Sequence, residues 1–269
     1  MSNSSLATYT LISPNKNSPR NHKIDTISIH CFVGQVTAKR GCEVFQPSSE
    51  QASCNYVVGY DGSIGLCVEE KDRSWCTSSS SNDHRAITIE TASENKAPYK
   101  VTAAAYAALL DLVTDICRRN GAKKLLWFGD KAKTLAYAPK SGEMVMTVHR
   151  WFANKSCPGD YLYNLHGEIA AEVTKRLGGS SSTTSPSTGT GASGSAQTAV
   201  NYTVKVTATD LNIRSGPGTN YGRKGFIAPG VYTIVAEADG TGATKWGKLK
   251  SGVGWIALDY VTKTGSGAT

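Results

Sequence analysis

The stretch from His149 to Gly159, HRWFANKSCPG, places a histidine and a cysteine eight residues apart, with Lys155 two positions before the cysteine and Pro158-Gly159 directly after it. Imidazole and thiolate are the preferred ligands of zinc, and a catalytic zinc takes three protein ligands while keeping a fourth position for water. The stretch therefore reads as half of a metal site whose third ligand lies elsewhere in the chain. His30 is the best candidate. It closes the run Thr26-Ile27-Ser28-Ile29, where polar and apolar residues alternate as in a half-buried strand, so His30 shares a polar face with Thr26 and Ser28. Taken singly, a strand-end histidine reads as a hydrogen-bonded structural residue and a lone cysteine as a small buried hydrophobe. The combination is what points to metal chemistry.

The rest of the chain bounds this reading. With 269 residues, 39% of them hydrophobic, the protein can bury a proper core and divide into more than one domain. Its net charge of +8 favours polyanionic partners such as nucleic acid, an anionic membrane surface or an acidic cell wall. No basic helix interleaved with aromatics and no nucleic-acid-binding motif is present, so nucleic acid is not expected as a partner. The N-terminus lacks the basic start and apolar core of an export signal, and no apolar run is long enough for a stable membrane insertion; residence in a cytoplasm is the expectation. Seven cysteines, an odd number without framework spacing, read as free thiols with one on metal.

Along the chain, the uncharged Gly/Ser/Thr-rich segment 178–201 reads as a flexible linker between domains at 1–177 and 202–269. In the first domain, residues 25–30 and 86–91 read as strands, and a Gly-rich loop follows the first of them to about Ser53. Residues 56–60 and 64–68 form a hairpin around Asp61-Gly62-Ser63. From Thr102 to Arg119 the apolar positions Ala105, Tyr106, Leu109, Leu112, Val113 and Ile116 recur at helical spacing, with Thr102 as N-cap and Asn120-Gly121 as the stop. Leu125 to Phe128 reads as a short strand and Tyr161 to Leu177 as a second amphipathic helix. Strands alternating with helices predict an α/β domain, a mixed sheet flanked by helices. The second domain carries short runs rich in Val, Ile, Tyr and Trp, broken by Gly/Pro turns, which predict a small all-β barrel with Trp246, Trp255, Tyr232 and Leu211 in its core.

Four motifs in order, Ile27-Ser28-Ile29-His30, Cys54-Asn55-Tyr56-Val57-Val58 leading into Tyr60-Asp61-Gly62, Ile87-Thr88-Ile89-Glu90, and His149 with Lys155-Ser156-Cys157-Pro158-Gly159, give residues 20–177 a specific resemblance. This part resembles the zinc-dependent type 2 N-acetylmuramoyl-L-alanine amidases, the family that includes phage amidases and peptidoglycan recognition proteins. The resemblance implies Zn2+ held by His30, His149 and Cys157, Glu90 as the acid–base group and Lys155 as stabiliser of the oxyanion. Two positions depart from the family pattern. Where some members have a tyrosine this chain has Cys54, with Tyr56 two residues on, and where many have Trp-His it has Trp75-Cys76. Tyr56 and Cys76 are thus candidates for substrate contact.

Residues 211–221, LNIRSGPGTNY, and Gly254-Trp255-Ile256 are similar to bacterial SH3-type modules of cell-wall hydrolases. That resemblance implies binding of wall peptide or polysaccharide, with Asn212, Arg214 and Tyr221 as candidate contacts. Together the two resemblances imply a phage or prophage endolysin that is held in the host cytoplasm until lysis and cleaves the bond between N-acetylmuramic acid and L-alanine in Gram-positive peptidoglycan. The rival expectation is a non-catalytic peptidoglycan-binding relative, against which stands the presence of all three metal ligands. A structural zinc needs a fourth protein ligand, and Cys31, the nearest in sequence, should point to the opposite strand face from His30.

Overall fold

A computed structural model describes residues 2–178, 197–208, 211–219 and 221–266. The chain divides into two compact units, Met1–Ser185 and Pro186–Thr269. Most of the expected linker lies outside the described residues.

The first unit runs β1 (Tyr9–Thr10), β2 (Lys16–Asn17), β3 (Thr26–Cys31), α1 (Ala38–Val44), β4 (Tyr56–Val58), β5 (Ile64–Leu66), β6 (Arg73–Ser74), α2 (Ser80–Arg85), β7 (Ala86–Thr91), α3 (Ala103–Arg119), β8 (Lys124–Leu126), α4 (Lys131–Ala136), β9 (Glu143–Thr147) and α5 (Gly159–Arg176). Its main sheet has the order β1-β5-β4-β7-β3-β9-β8, while β2 and β6 pair apart. The sheet is mixed: β3 lies parallel to β7 and β9, and β4 and β5 form the expected antiparallel hairpin. Ile27, Ile29, Ile87 and Ile89 face one side, in a core with Leu109, Leu112 and Ile116 of α3 and Leu162, Ile169 and Val173 of α5. Those helices form where the periodicity places them. Thr102 caps α3, accepting from the Ala105 amide, and Gly121 follows its end in the left-handed region.

Three features depart from expectation. Strand β3 is buried along its whole length, so the polar face carrying Ser28 and His30 is covered rather than open to solvent. A central strand with parallel neighbours on both edges is sheathed on both faces. The stretch read as a loop to Ser53 contains α1, whose signal is masked by Gly41. A Cβ there would come within 2.5 Å of Val57 Cγ1, so glycine is required by the close approach of helix and sheet. Helix α2, SSNDHR, has no apolar residue at all; Ser79 caps it, and it buries Asn82 and Asp83 instead.

The second unit runs β10 (Thr198–Val206), β11 (Asn212–Arg214), β12 (Arg223–Phe226), β13 (Gly230–Gly240), β14 (Ala243–Leu249), β15 (Trp255–Ala257) and β16 (Val261–Ser266). They form one antiparallel sheet in the order β12-β11-β15-β14-β13-β10-β16. Trp246, Trp255 and Leu211 are buried in its core, with Tyr232 packed at the margin. Strand β10 starts at Thr198, so the β structure begins before the expected boundary at 202. Among the described residues of the whole chain, no helix is long and apolar enough to cross a membrane.

Candidate metal centre and cleft

Strand register puts the first pair of functional side chains together. His30 of β3 lies directly opposite Glu90 of β7, on the face away from the apolar core, with His30 Nδ1 3.8 Å from Glu90 Oε1. The His149–Cys157 stretch reaches the same point from the end of β9. It opens with a single 3-10 turn, His149–Trp151, and closes where the Arg150 amide donates to the Cys157 carbonyl at 3.1 Å, which brings its two ends together. Trp151 stacks on Trp127 with centroids 5.1 Å apart, and the Arg150 guanidinium sits 4.7 Å over the Tyr163 ring and pairs with Asp160. Gly159, at φ +76°, starts α5 so close to Tyr99 that a Cβ would lie 2.9 Å from that side chain.

The result is a cluster. Ligand atoms of His30, His149 and Cys157 all lie within 4.8 Å of one another, and Cys157 Sγ is 3.3 Å from His30 Nδ1. Two donors on one tetrahedral zinc, at Zn–S about 2.3 Å and Zn–N about 2.05 Å, stand about 3.6 Å apart. The separation and the N/N/S donor set therefore fit zinc. Burial, with the charges of His149 and His166, holds His30 well below its usual pKa, and burial with Lys155 lowers His149; both shifts favour the neutral ring that a metal ligand must be. A hydrogen bond with Cys31, then burial, pushes the Cys157 thiol up, so that a metal must displace its proton. Cys31 is thus nearer to the site than strand alternation predicts: it belongs to the apolar core against which Cys157 packs. A second group within the same limit, His30, Cys76 and Glu90, shares the first histidine. Among the described residues neither group includes Cys31 or closes a four-ligand set.

Glu90 is the one strongly perturbed carboxylate beside the cluster. Burial raises it to about 7, Oε2 is buried without a partner, and Oε1 has only the weak Cys76 thiol contact at 3.9 Å besides His30. Lys155 is exposed, and with His149, Arg73, Trp75, Cys76 and Ser78 it lines an open groove. Arg20 supports this wall from below, donating to the carbonyls of Glu70, Asp72, Asp83, His84 and Ala86, and the Asp83 carboxylate accepts from the amides of Cys76 and Thr77.

The other expected contacts fare differently. Tyr56 is fully buried on the opposite side of the sheet, opposite Ile89, and its hydroxyl donates to Glu70 Oε1 at 2.6 Å; it cannot reach a substrate. Cys54, just before β4 begins, faces the Glu90 side with Cys42 and Cys67, so the chain is not regular between 54 and 56. In the second unit Arg214 Nη1 donates to the carbonyls of Thr219 and Tyr221 at 3.1 and 2.9 Å, which holds a turn. Tyr221 is 41% exposed, and its ring covers Gly216, while Asn212 Oδ1 is buried without a partner. All seven cysteines are free thiols. Sequence reasoning gave no role to Ser28 and Ser78, which touch His30 and His149; the Thr26/Ser28/His30 face was the available signal for the first.

The first unit thus carries a histidine/cysteine cluster with a largely buried carboxylate beside it, a residue set able to hold a metal and to move a proton. The family profile described as N-acetylmuramoyl-L-alanine amidase matches residues 20–160, and the chain belongs to that family. Among solved structures, PlyL shares 13% identity over 61% of this chain and 95% of its own (TM-score 0.46). A mutant endolysin from Bacillus subtilis shares 16% over 61% and 97% (0.44), and the endolysin amidase LysCS from Clostridium intestinale 14% over 58% and 90% (0.40). No curated protein matches.

Proposed function

We propose that the first unit hydrolyses the amide between N-acetylmuramic acid and L-alanine of peptidoglycan, using zinc held by His30, His149 and Cys157. The observation that carries the reading is the Glu90 carboxylate 3.8 Å from His30 beside a zinc-compatible N/N/S cluster, in a chain of the amidase family. When bound, zinc supplies Lewis acidity, lowering the pKa of water to about 7 and polarising a carbonyl. Glu90 accepts the proton of the attacking water at Oε1, the oxygen 3.8 Å from His30 Nδ1, and delivers it to the departing alanine nitrogen. Lys155, on the same groove as His149, offers a cation to the oxygen that gains charge as the carbonyl becomes tetrahedral. Cys76 lines the groove with its thiol 3.9 Å from Glu90 Oε1, and its role is packing against that carboxylate.

The second unit, in this reading, is an SH3-type module that tethers the enzyme to the wall and raises its local concentration there. The net charge of +8 suits an anionic Gram-positive wall and makes that binding sensitive to salt. The whole is read as a phage or prophage endolysin. The test is release of new L-alanine amino termini without new reducing ends from purified peptidoglycan, by wild type and Cys157→Ser after chelation and zinc re-addition. Amino ends from the zinc-loaded wild type alone are expected; wall binding with no bond broken would replace this reading by that of a recognition protein.

A further inference from the structure

Resting on the metal-site reading, we propose that Ser28 and Ser78 are positioning residues that fix which nitrogen His30 and His149 turn toward the metal. Ser28 Oγ lies 3.1 Å from His30 Nε2 and 3.4 Å from the Thr147 carbonyl oxygen. In the arrangement we assign, the one proton of the hydroxyl goes to the Thr147 carbonyl, which can only accept, and the hydroxyl lone pair receives His30 Nε2–H. Nδ1, the atom 3.3 Å from Cys157 Sγ, is left with a bare lone pair in the one tautomer able to bind a cation there. Ser28 and His30 are both fully buried, so no bulk water competes for these bonds.

His149 meets a hydroxyl at the same ring nitrogen from a different element: Ser78 Oγ lies 3.0 Å from His149 Nε2, so in this proposal Nδ1 goes to the metal. Ser78 sits at φ +59°, in the left-handed region that glycine occupies freely and serine rarely adopts. The loop that carries it is pinned by the Asp83 carboxylate through the amides of Cys76 and Thr77. A strained backbone position that only glycine fits comfortably thus bears a hydroxyl, and that hydroxyl is what reaches the histidine. Partners of this kind orient a ligand ring and set its tautomer, and their loss costs about 10- to 100-fold in metal affinity.

The experiment uses the full chain. Zinc affinity is measured by competition with a chelator for wild type, Ser28→Ala and Ser78→Gly, alongside melting of the metal-free proteins and 15N spectra of their histidines. Wild type is expected to bind one zinc and, metal-free, to show a slowly exchanging His30 Nε2–H. Ser28→Ala should lose that signal and about 10- to 100-fold in zinc affinity. Ser78→Gly, whose bond is exposed, should lose less, about tenfold, while its metal-free form melts no lower than wild type. Zinc affinities of both variants within twofold of wild type, or a wild-type His30 protonated on Nδ1, would overturn the proposal and leave the metal-site reading standing. A wild type that binds no zinc would overturn both. Should Ser28→Ala fail to fold, the wild-type spectrum and Ser78→Gly still decide.

Discussion

Replacing Glu90 by glutamine should separate activity from stability. The carboxamide keeps the shape of a side chain that is 16% exposed and 3.8 Å from His30, but it can neither accept nor return a proton. General acid–base catalysis contributes about 10²- to 10⁴-fold, so kcat for amide cleavage should fall by that factor, about 3 to 5 kcal/mol of barrier at 1.36 kcal/mol per decade. Zinc stoichiometry should stay at one. Stability should move the other way. Burial raises Glu90 from 4.5 to about 7, so in the metal-free protein the folded state holds this proton more tightly than the unfolded one. The native state is then free of the penalty below pH 4.5 and loses stability as pH rises to about 7. The loss approaches about 3.4 kcal/mol, at 1.36 kcal/mol for each factor of ten in proton affinity. Metal-free Glu90→Gln should therefore be more stable than wild type at pH 8 and equal to it near pH 4. Denaturant unfolding at the two pH values, with cleavage assays on the zinc-loaded forms, gives both numbers. Wild-type cleavage by Glu90→Gln would refute the proton-transfer role.

Two further outcomes concern groups away from the cleft. Arg119 donates to both oxygens of Glu70, which is 1% exposed, and also holds the Ser2 carbonyl; Arg119→Ala strands a buried carboxylate and should cost about 3–5 kcal/mol, read as a lower denaturation midpoint of the first unit. His166 is fully buried against Trp127, with Nδ1 on the Leu162 carbonyl and Nε2 without a partner, and burial first, then Arg150, brings its pKa from 6.5 to about 4. The unfolded chain takes up that proton first, so stability present above pH 6.5 should be lost between about 6.5 and 4, by about 3 kcal/mol; His166→Gln should flatten that slope, measured by unfolding in the metal-free chain.

How much of this was legible beforehand follows from where the signals lie. Helices α3 and α5 and the β4–β5 hairpin announce themselves through local periodicity, an N-cap and an Asp-Gly turn, all carried by neighbours in the chain. Helix α1 is hidden because Gly41 answers to Val57, sixteen residues away, and α2 because its buried side chains are polar. Strand β16 escaped because VTKTGS has neither an apolar run nor an alternation strong enough to mark it; it is a strand because β10 lies beside it. In the site, the types and spacing of His149, Lys155 and Cys157 were evident from chemistry, and His30 from the end of an alternating run.

By itself the sequence determined the local elements with strong periodicity, the division of composition into two parts, and the residue types able to hold a metal, because each is a property of a short stretch. Only the tertiary structure decided that His30 faces Glu90 across a parallel strand pair, that Tyr56 turns to Glu70 instead of the cleft, and that Ser28 and Ser78 stand behind the two histidines. The strand-borne contacts depend on register, which is set by how a whole face packs: a slip of one residue would move every side chain of β3 to the other side of the sheet; the Ser78 contact depends on two loops brought together from distant parts of the chain.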